Sequence, residues 1–182
     1  VKSNERLETV TLIPMGAARL RITSFPVIGS GPAAHNWVEP PKPKPGAYKG
    51  SVSHCNESDS IDALSDGLLP KHSNDHEIPR FTWWSRKGSA EWAQFDFNAT
   101  MPVRSVWVYW FDDTGAGQCR VPKSWRILYR DGEEWKPVTA DYTVLPDTMN
   151  KVRFTPVQTT ALRLEAQLQE GFSGGILEWQ VN

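Results

Sequence analysis

Aspartates, arginines, histidines and tryptophans gather in three irregular stretches of this 182-residue chain. The first is Asn74, Asp75, His76, Arg80 and Trp83. The second, Phe111-Asp112-Asp113-Thr114-Gly115-Ala116-Gly117-Gln118-Cys119-Arg120, holds a carboxylate pair and an arginine. The third, Glu170–Gly175, contributes Phe172. An aromatic ring under the apolar face of a sugar, with planar donors and acceptors gripping its hydroxyls, is the chemistry such a set supports. The Arg120 fork can take two vicinal hydroxyls or a carboxylate, or it can pair with Asp112 or Asp113 as a brace, and both roles are compatible. Asp112 and Asp113 either face one ligand together or open a solvated turn. One of Trp83 and Trp84 is the expected stacking ring, the other a core residue.

Catalytic patterns do not appear. There is no GxSxG, HExxH or phosphate-binding loop, and Asp112 and Asp113 would point to opposite faces if they lay on a strand. His72 and His76 have the spacing of ligands on a helix, but their segment carries no helical pattern, so they read as polar loop residues. Ser58–Gly67 concentrates carboxylates and turns, which suits either a hard cation or a cluster of Asx turns. Cys55 and Cys119 are too few for a cysteine zinc site. They are either one disulfide, implying an oxidising compartment, or two free thiols.

The elements that must position these loops are strands. Trp92–Phe97 alternates, with Ala93, Phe95 and Phe97 on one face and Gln94 and Asp96 on the other. Val103–Phe111 is dense in Val, Trp and Tyr, as a strand buried on both faces is. Trp125–Arg130 runs through Asp131-Gly132, a hairpin turn, into Trp135–Val138. Val152–Phe154, Ala161–Ala166 and Ile176–Val181 complete the series, and no helical period lasts three turns. The pattern predicts an all-β sandwich or jelly roll over 48–182. Ahead of it, residues 1–28 read as a hairpin-like unit. Residues 29–47, with Pro40, Pro41, Pro43 and Pro45, read as a semi-rigid linker. Cys55–Ser85 is the one long irregular stretch, of the kind that carries function.

Composition narrows the partners. Lys and Arg number 20 against 21 Asp and Glu, so bulk electrostatics favours neither nucleic acid nor an anionic membrane. No apolar run reaches the roughly 20 residues of a bilayer span, and no signal peptide opens the chain. The nine tryptophans must fill a core or stack on ligands. Strand placement assigns Trp92, Trp107, Trp125 and Trp179 to the core.

Ala63-Leu64-Ser65-Asp66-Gly67, Thr82-Trp83-Trp84-Ser85, Glu91–Phe97, Val103-x2-Val106-x-Val108 and Trp125–Trp135 occur in the order found in discoidin modules. The chain thus resembles the discoidin, or coagulation factor type C, family with its galactose-binding-like jelly roll, over most of 48–182. The longer run Ser73–Trp84, with Tyr109–Asp113 and Cys119–Trp125, resembles the C-terminal module of bacterial beta-L-arabinofuranosidase-like glycoside hydrolases. Thr9–Gly16 and Leu20–Pro26 look like the last strands of that enzyme's preceding β-domain.

The resemblance implies a non-catalytic, periplasmic or extracellular carbohydrate-binding module. Its candidate binding residues are His76, Arg80, Trp83, Trp84, Asp112, Asp113, Arg120 and Phe172, and Trp135 becomes structural. It also implies a structural Ca2+ held by Asp66 and Glu178 with neighbouring carbonyls. The expected partners are a plant or host glycan containing arabinose or galactose, and the catalytic domain of a parent enzyme. The rival expectation is a structural domain that packs on the catalytic barrel without an open sugar site. One departure from the family pattern is the insertion Leu68–Phe81, which would reshape or cover that site.

Overall fold

A computed structural model describes residues 48–182. The hairpin expected over 1–28 and the linker expected over 29–47 lie outside the described residues. The elements are β1 (Tyr48–Val52), a 3-10 turn (Ile61–Leu64), β2 (Phe81–Thr82), β3 (Ala90–Phe111), β4 (Ser124–Asp131), β5 (Glu134–Pro137), β6 (Met149–Gln167) and β7 (Gly175–Val181). Every strand pairing is antiparallel. This is the expected all-β jelly-roll sandwich.

Two strands are longer than the sequence suggests. Asn98–Pro102 reads as a break, yet β3 runs through it. The ladder to β6 absorbs the corner by register shifts between Asp96 and Met101 and between Val103 and Ser105. Bulges of this kind bend a strand without ending it. The first half of β3 pairs with β1 and the second half of β6; β6 in turn pairs with β4, and β4 with β5. Beyond the corner, the second half of β3 pairs with β7, which carries β2. The two long strands therefore serve both layers.

Alternation fills the space between the layers. Ala93, Phe95, Val106, Val108 and Trp110 from β3 meet Ile127, Leu162, Leu164, Ile176 and Trp179 in one buried cluster. Phe95 stacks on Trp179 with ring centroids 4.0 Å apart, joining the layers; such a contact adds roughly 0.5–1.5 kcal/mol beyond area burial. The opposite face of β3 and β7 is buried as well. Tyr109, Phe111, Cys119 and Leu177 form a second cluster, with Ile78 of the insertion and Trp84 packed on it. The insertion accounts for the strand that reads as buried on both faces: it is a third layer over that half of the sandwich.

Parity also corrects the assignment of Trp92 to the core. Trp92 shares the outward face of Gln94 and Asp96, opposite Phe95, and is half-buried, as is Trp135. Trp107, Trp125 and Trp179 are buried as expected.

Candidate functional site at the end of the sandwich

Three loops converge where β2 and β3 end. The loop after β1 brings Asn56 and Asp59, the end of the insertion brings Arg80, and the turn after β3 brings Asp113 and Gln118. With Thr82, Trp84 and Phe111 they enclose an open cavity of about 320 Å3. Every wall comes from a different stretch of chain, so strand order creates the pocket.

Arg80 and Asp59 form its polar centre. Arg80 Nε lies 3.3 Å from Asp59 Oδ1; the carboxylate side chain is 3% exposed and the guanidinium 32%. The Thr82 hydroxyl donates to Asp59 Oδ2. The Arg80 guanidinium sits 5.1 Å from the Phe111 ring centre, and its Nη1 meets His76 Nδ1 at 2.5 Å. The arginine is thus held on three sides, and its side chain lines the pocket. A fixed guanidinium beside a carboxylate supplies donors and acceptors together, as a hydroxyl-rich ligand requires.

The loop after β3 is knit by its own aspartates. Asp112 accepts from Thr114 N at 2.9 Å and Val121 N at 3.0 Å, an Asx turn that points it away from the cavity. Asp113 Oδ1 accepts from Cys119 N at 2.7 Å, and the carboxylate lines the pocket. Gly117 lets the loop close this far, since a Cβ there would stand 2.1 Å from Asp113 Oδ2. Arg120 turns back beneath the loop, donating to Asp113 Oδ1 (3.3 Å), Gly117 O (3.1 Å) and Cys119 O (2.6 Å). Its guanidinium lies 4.4 Å from the Phe172 ring centre.

The eight residues singled out by sequence thus divide. Arg80, Trp84 and Asp113 line the cavity. His76 orients Arg80 from outside it. Asp112, Arg120 and Phe172 also lie outside, with Arg120 and Asp112 bracing the loop. Trp83 is corrected outright: it is 0% exposed, edge-on to Phe81 at 5.1 Å, and belongs to the core. Trp84, its neighbour, is half-buried and faces the other way, with Lys87 Nζ 5.0 Å from its ring centre. Asn56, Asp59, Thr82, Phe111 and Gln118 join the site without local sequence signals. Asp59 had only its place in the acidic stretch, which pointed to a cation. Both cysteines are free thiols. Cys119 also lines the pocket, and burial, then the Asp113 carboxylate, pushes its thiol up to about 12.

The second predicted site lies where the turn after the 3-10 helix meets β7. Glu178 is wholly buried and accepts from Gly67 N at 3.2 Å and Gln180 Nε2 at 3.2 Å. Asp66, exposed at the lip, accepts from Leu68 N at 2.8 Å. The Asp66-Gly67 turn and Glu178 are therefore neighbours, although 111 residues separate Gly67 from Glu178. The orphaned Gln180 Oε1 is a further buried oxygen beside Glu178. Among the described residues no group of three or more His, Cys, Asp or Glu forms a metal cluster. Carboxylate oxygens such as those of Asp66 and Glu178 fit a hard cation better than a transition metal.

Residues 49–179 match the F5/8 type C domain. The chain belongs to that family. Similar solved structures include one from the beta-galactosidase BgaA of Streptococcus pneumoniae. It is 22% identical with a TM-score of 0.66, covering 77% of this chain and 95% of the other. The family 32 carbohydrate-binding module of Clostridium perfringens NanJ, solved with galactose, is 14% identical with a TM-score of 0.56, covering 74% and 93%. A chitosan-binding module from a Paenibacillus sp. IK-5 chitosanase/glucanase is 15% identical with a TM-score of 0.56, covering 75% and 95%. At these identities the likeness is one of fold. No curated protein sequence matches the chain.

Proposed function

We propose that this F5/8 type C domain is a non-catalytic carbohydrate-binding module, and that the pocket between Trp84, Arg80–Asp59 and Asp113 takes a sugar at a chain end. One observation carries the reading: a half-buried indole shares a 320 Å3 end-loop cavity with a fixed guanidinium–carboxylate pair. The module-bearing enzymes and sugar-binding modules that share its fold support it. In the same proposal the parent protein is a bacterial glycoside hydrolase acting outside the cytoplasm, of the beta-L-arabinofuranosidase-like kind, and the glycan carries arabinose or galactose. Ca2+ at Asp66 and Glu178 is structural and would tie the early turn to the last strand.

The test is a glycan array followed by calorimetry with the arabinose- and galactose-terminated hits. Arg80→Ala and Trp84→Ala are each expected to weaken binding at least tenfold while the chain stays folded. A folded wild type that binds no plant or host glycan refutes the proposal.

A second reading has its own observation. Leu68, Leu69 and Leu145 are 45%, 54% and 53% exposed, on the insertion and on the loop before β6. They suit a face that packs on a catalytic domain. The two roles use different surfaces and are compatible.

A further inference from the structure

A second cavity, larger than the end-loop pocket, lies on the outward face of the first layer. It measures about 400 Å3 and spans three adjacent strands, with Trp92 from β3, Glu165 and Gln167 from β6, and Ser124 and Arg126 from β4 among its walls. Register explains the assembly, because Trp92 pairs with Glu165 and Glu165 with Arg126. Two residues away along β6, on the same face, stands Arg163, with Gln94 and Leu128 as its partners across the ladder. Its guanidinium lies 4.8 Å from the Trp92 ring centre and 4.4 Å from that of Trp135. Two indoles therefore flank Arg163 on the sheet surface, and Arg130 lies 4.8 Å from the Trp135 ring centre as well.

Charge decides what this surface suits. Arg126 holds Glu165 through Nε and Nη2, both at 2.7 Å. Asp96 is engaged by Arg130 at 3.6 Å and by Gln94 Nε2 at 2.8 Å. Arg163 differs: among the described residues its hydrogen bonds go to a neutral amide, Gln94 Oε1, from Nε at 3.0 Å and Nη2 at 2.8 Å. The Nη1–Nη2 edge of the fork remains open, and the two rings hold it in place. A guanidinium edge of that kind receives a carboxylate bidentately, and the Trp92 indole in the cavity wall can receive the apolar face of a sugar ring.

We infer that the face around Trp92, Arg163 and Trp135 is a second carbohydrate site, one that binds an internal stretch of an acidic, uronate-bearing polysaccharide. Glu165 and Asp96 on this outward face are already paired with Arg126 and Arg130, which leaves the Arg163 fork for a uronate carboxylate. The open sheet face has no end wall, which suits a chain passing across it; the end-loop pocket is walled by three loops.

Affinity electrophoresis of the whole chain through gels containing polygalacturonate, with neutral galactan as the matched control, tests this. The wild type is expected to be retarded by polygalacturonate alone, with retardation weakening as salt rises. Arg163→Met and Trp135→Ala should each raise the dissociation constant at least tenfold with thermal melts close to wild type. Arg163→Lys should recover only part of the loss, because an ammonium lacks the fork. Trp84→Ala, in the other pocket, should leave polygalacturonate binding unchanged, which separates this outcome from the end-site proposal. Absent retardation, equal retardation by neutral galactan, a folded Arg163→Met that binds as wild type, or loss of binding in Trp84→Ala would each overturn the inference.

Discussion

The Cys119 thiol sits at 4% exposure beneath the end-loop pocket, where its backbone N–H bonds Asp113. Burial disfavours the thiolate first, and the Asp113 carboxylate disfavours it further, lifting the group from 9.0 to about 12. Below pH 9 the folded and unfolded chains both keep this proton. Between pH 9 and 12 the unfolded chain releases it while the fold retains it, so stability falls as pH rises across that window. At about 1.4 kcal/mol per pH unit the loss is on the order of 4 kcal/mol. Denaturant melts from pH 8 to 11 should show this decline, and Cys119→Ala should flatten the part of the slope that Cys119 causes. An unchanged slope in that variant would show that the thiol titrates normally in the fold. Arg120 belongs to the same scale. It is bound to Asp113 and two carbonyls, so it shapes the pocket from behind.

The insertion Leu68–Phe81 is the element that gives this module its own character. Three devices pin it to the sandwich. Ser73 N donates to Asp147 Oδ1 and Asp147 N to Ser73 Oγ, both at 2.6 Å, and Asp112 N donates to Ser73 O at 3.0 Å. Asp75 accepts from Lys71 N and Glu77 N, each at 2.9 Å, and these bonds hold its carboxyl below the usual range. A lowered folded pKa means that the stabilisation is complete above the ordinary aspartate value of about 3.9 and is lost as pH falls through the folded one. Limited proteolysis should therefore cut within 68–77 in acid before the strands yield. Asp75→Ala should be cut there at neutral pH, and Ser73→Ala should lower stability by about 0.5–1.5 kcal/mol through loss of the Asp147 N–Ser73 Oγ bond. Protection unchanged in both variants would mean that apolar packing of Ile78 alone holds the segment. Sequence shows the strands beneath this cover well. The Ala93, Phe95, Phe97 alternation and the Asp131-Gly132 turn, where Gly132 takes φ 60°, are local signals. The continuity of β3 through Pro102 is not local, because a bulge pattern is set by the partner strand. The pocket is hidden for the same reason: Asp59 meets Arg80 only after both loops have been placed by the sheet. Trp83 and Trp84 are indistinguishable by type, and only the alternation of an extended backbone separates core from pocket.

Across the whole molecule, stability depends on joining the first strand and turn to the last strand. Tyr48 opens the domain and Glu178 lies near its end. Burial, opposed by a hydrogen bond with Ser65 and reinforced by Glu178, raises the Tyr48 hydroxyl. The early turn, β1 and β7 thus share one small region, and the Asp66-Gly67 turn closes over it. A cation bound there by Asp66 and Glu178 acts on the folded chain alone, since the unfolded chain holds these carboxylates far apart. Such a ligand stabilises by mass action, about 4 kcal/mol at a thousandfold excess over its dissociation constant. For a domain of this size each kcal/mol moves the melting temperature by roughly 4 °C. Calorimetric scans in millimolar Ca2+ and in excess chelator, at that thousandfold excess, should therefore differ by about 16 °C. Glu178→Gln keeps the side-chain shape and the acceptor for Gly67 N but removes the charge, so its two scans should coincide. Mg2+, which demands tighter octahedral geometry and sheds water reluctantly, should restore little of the shift. Identical wild-type scans with and without chelator would remove calcium from the account. Glu178 would then be a buried carboxylate satisfied by Gly67 N, Gln180 and its other contacts, and the closure of the sandwich would rest on those bonds and on the Phe95–Trp179 stack.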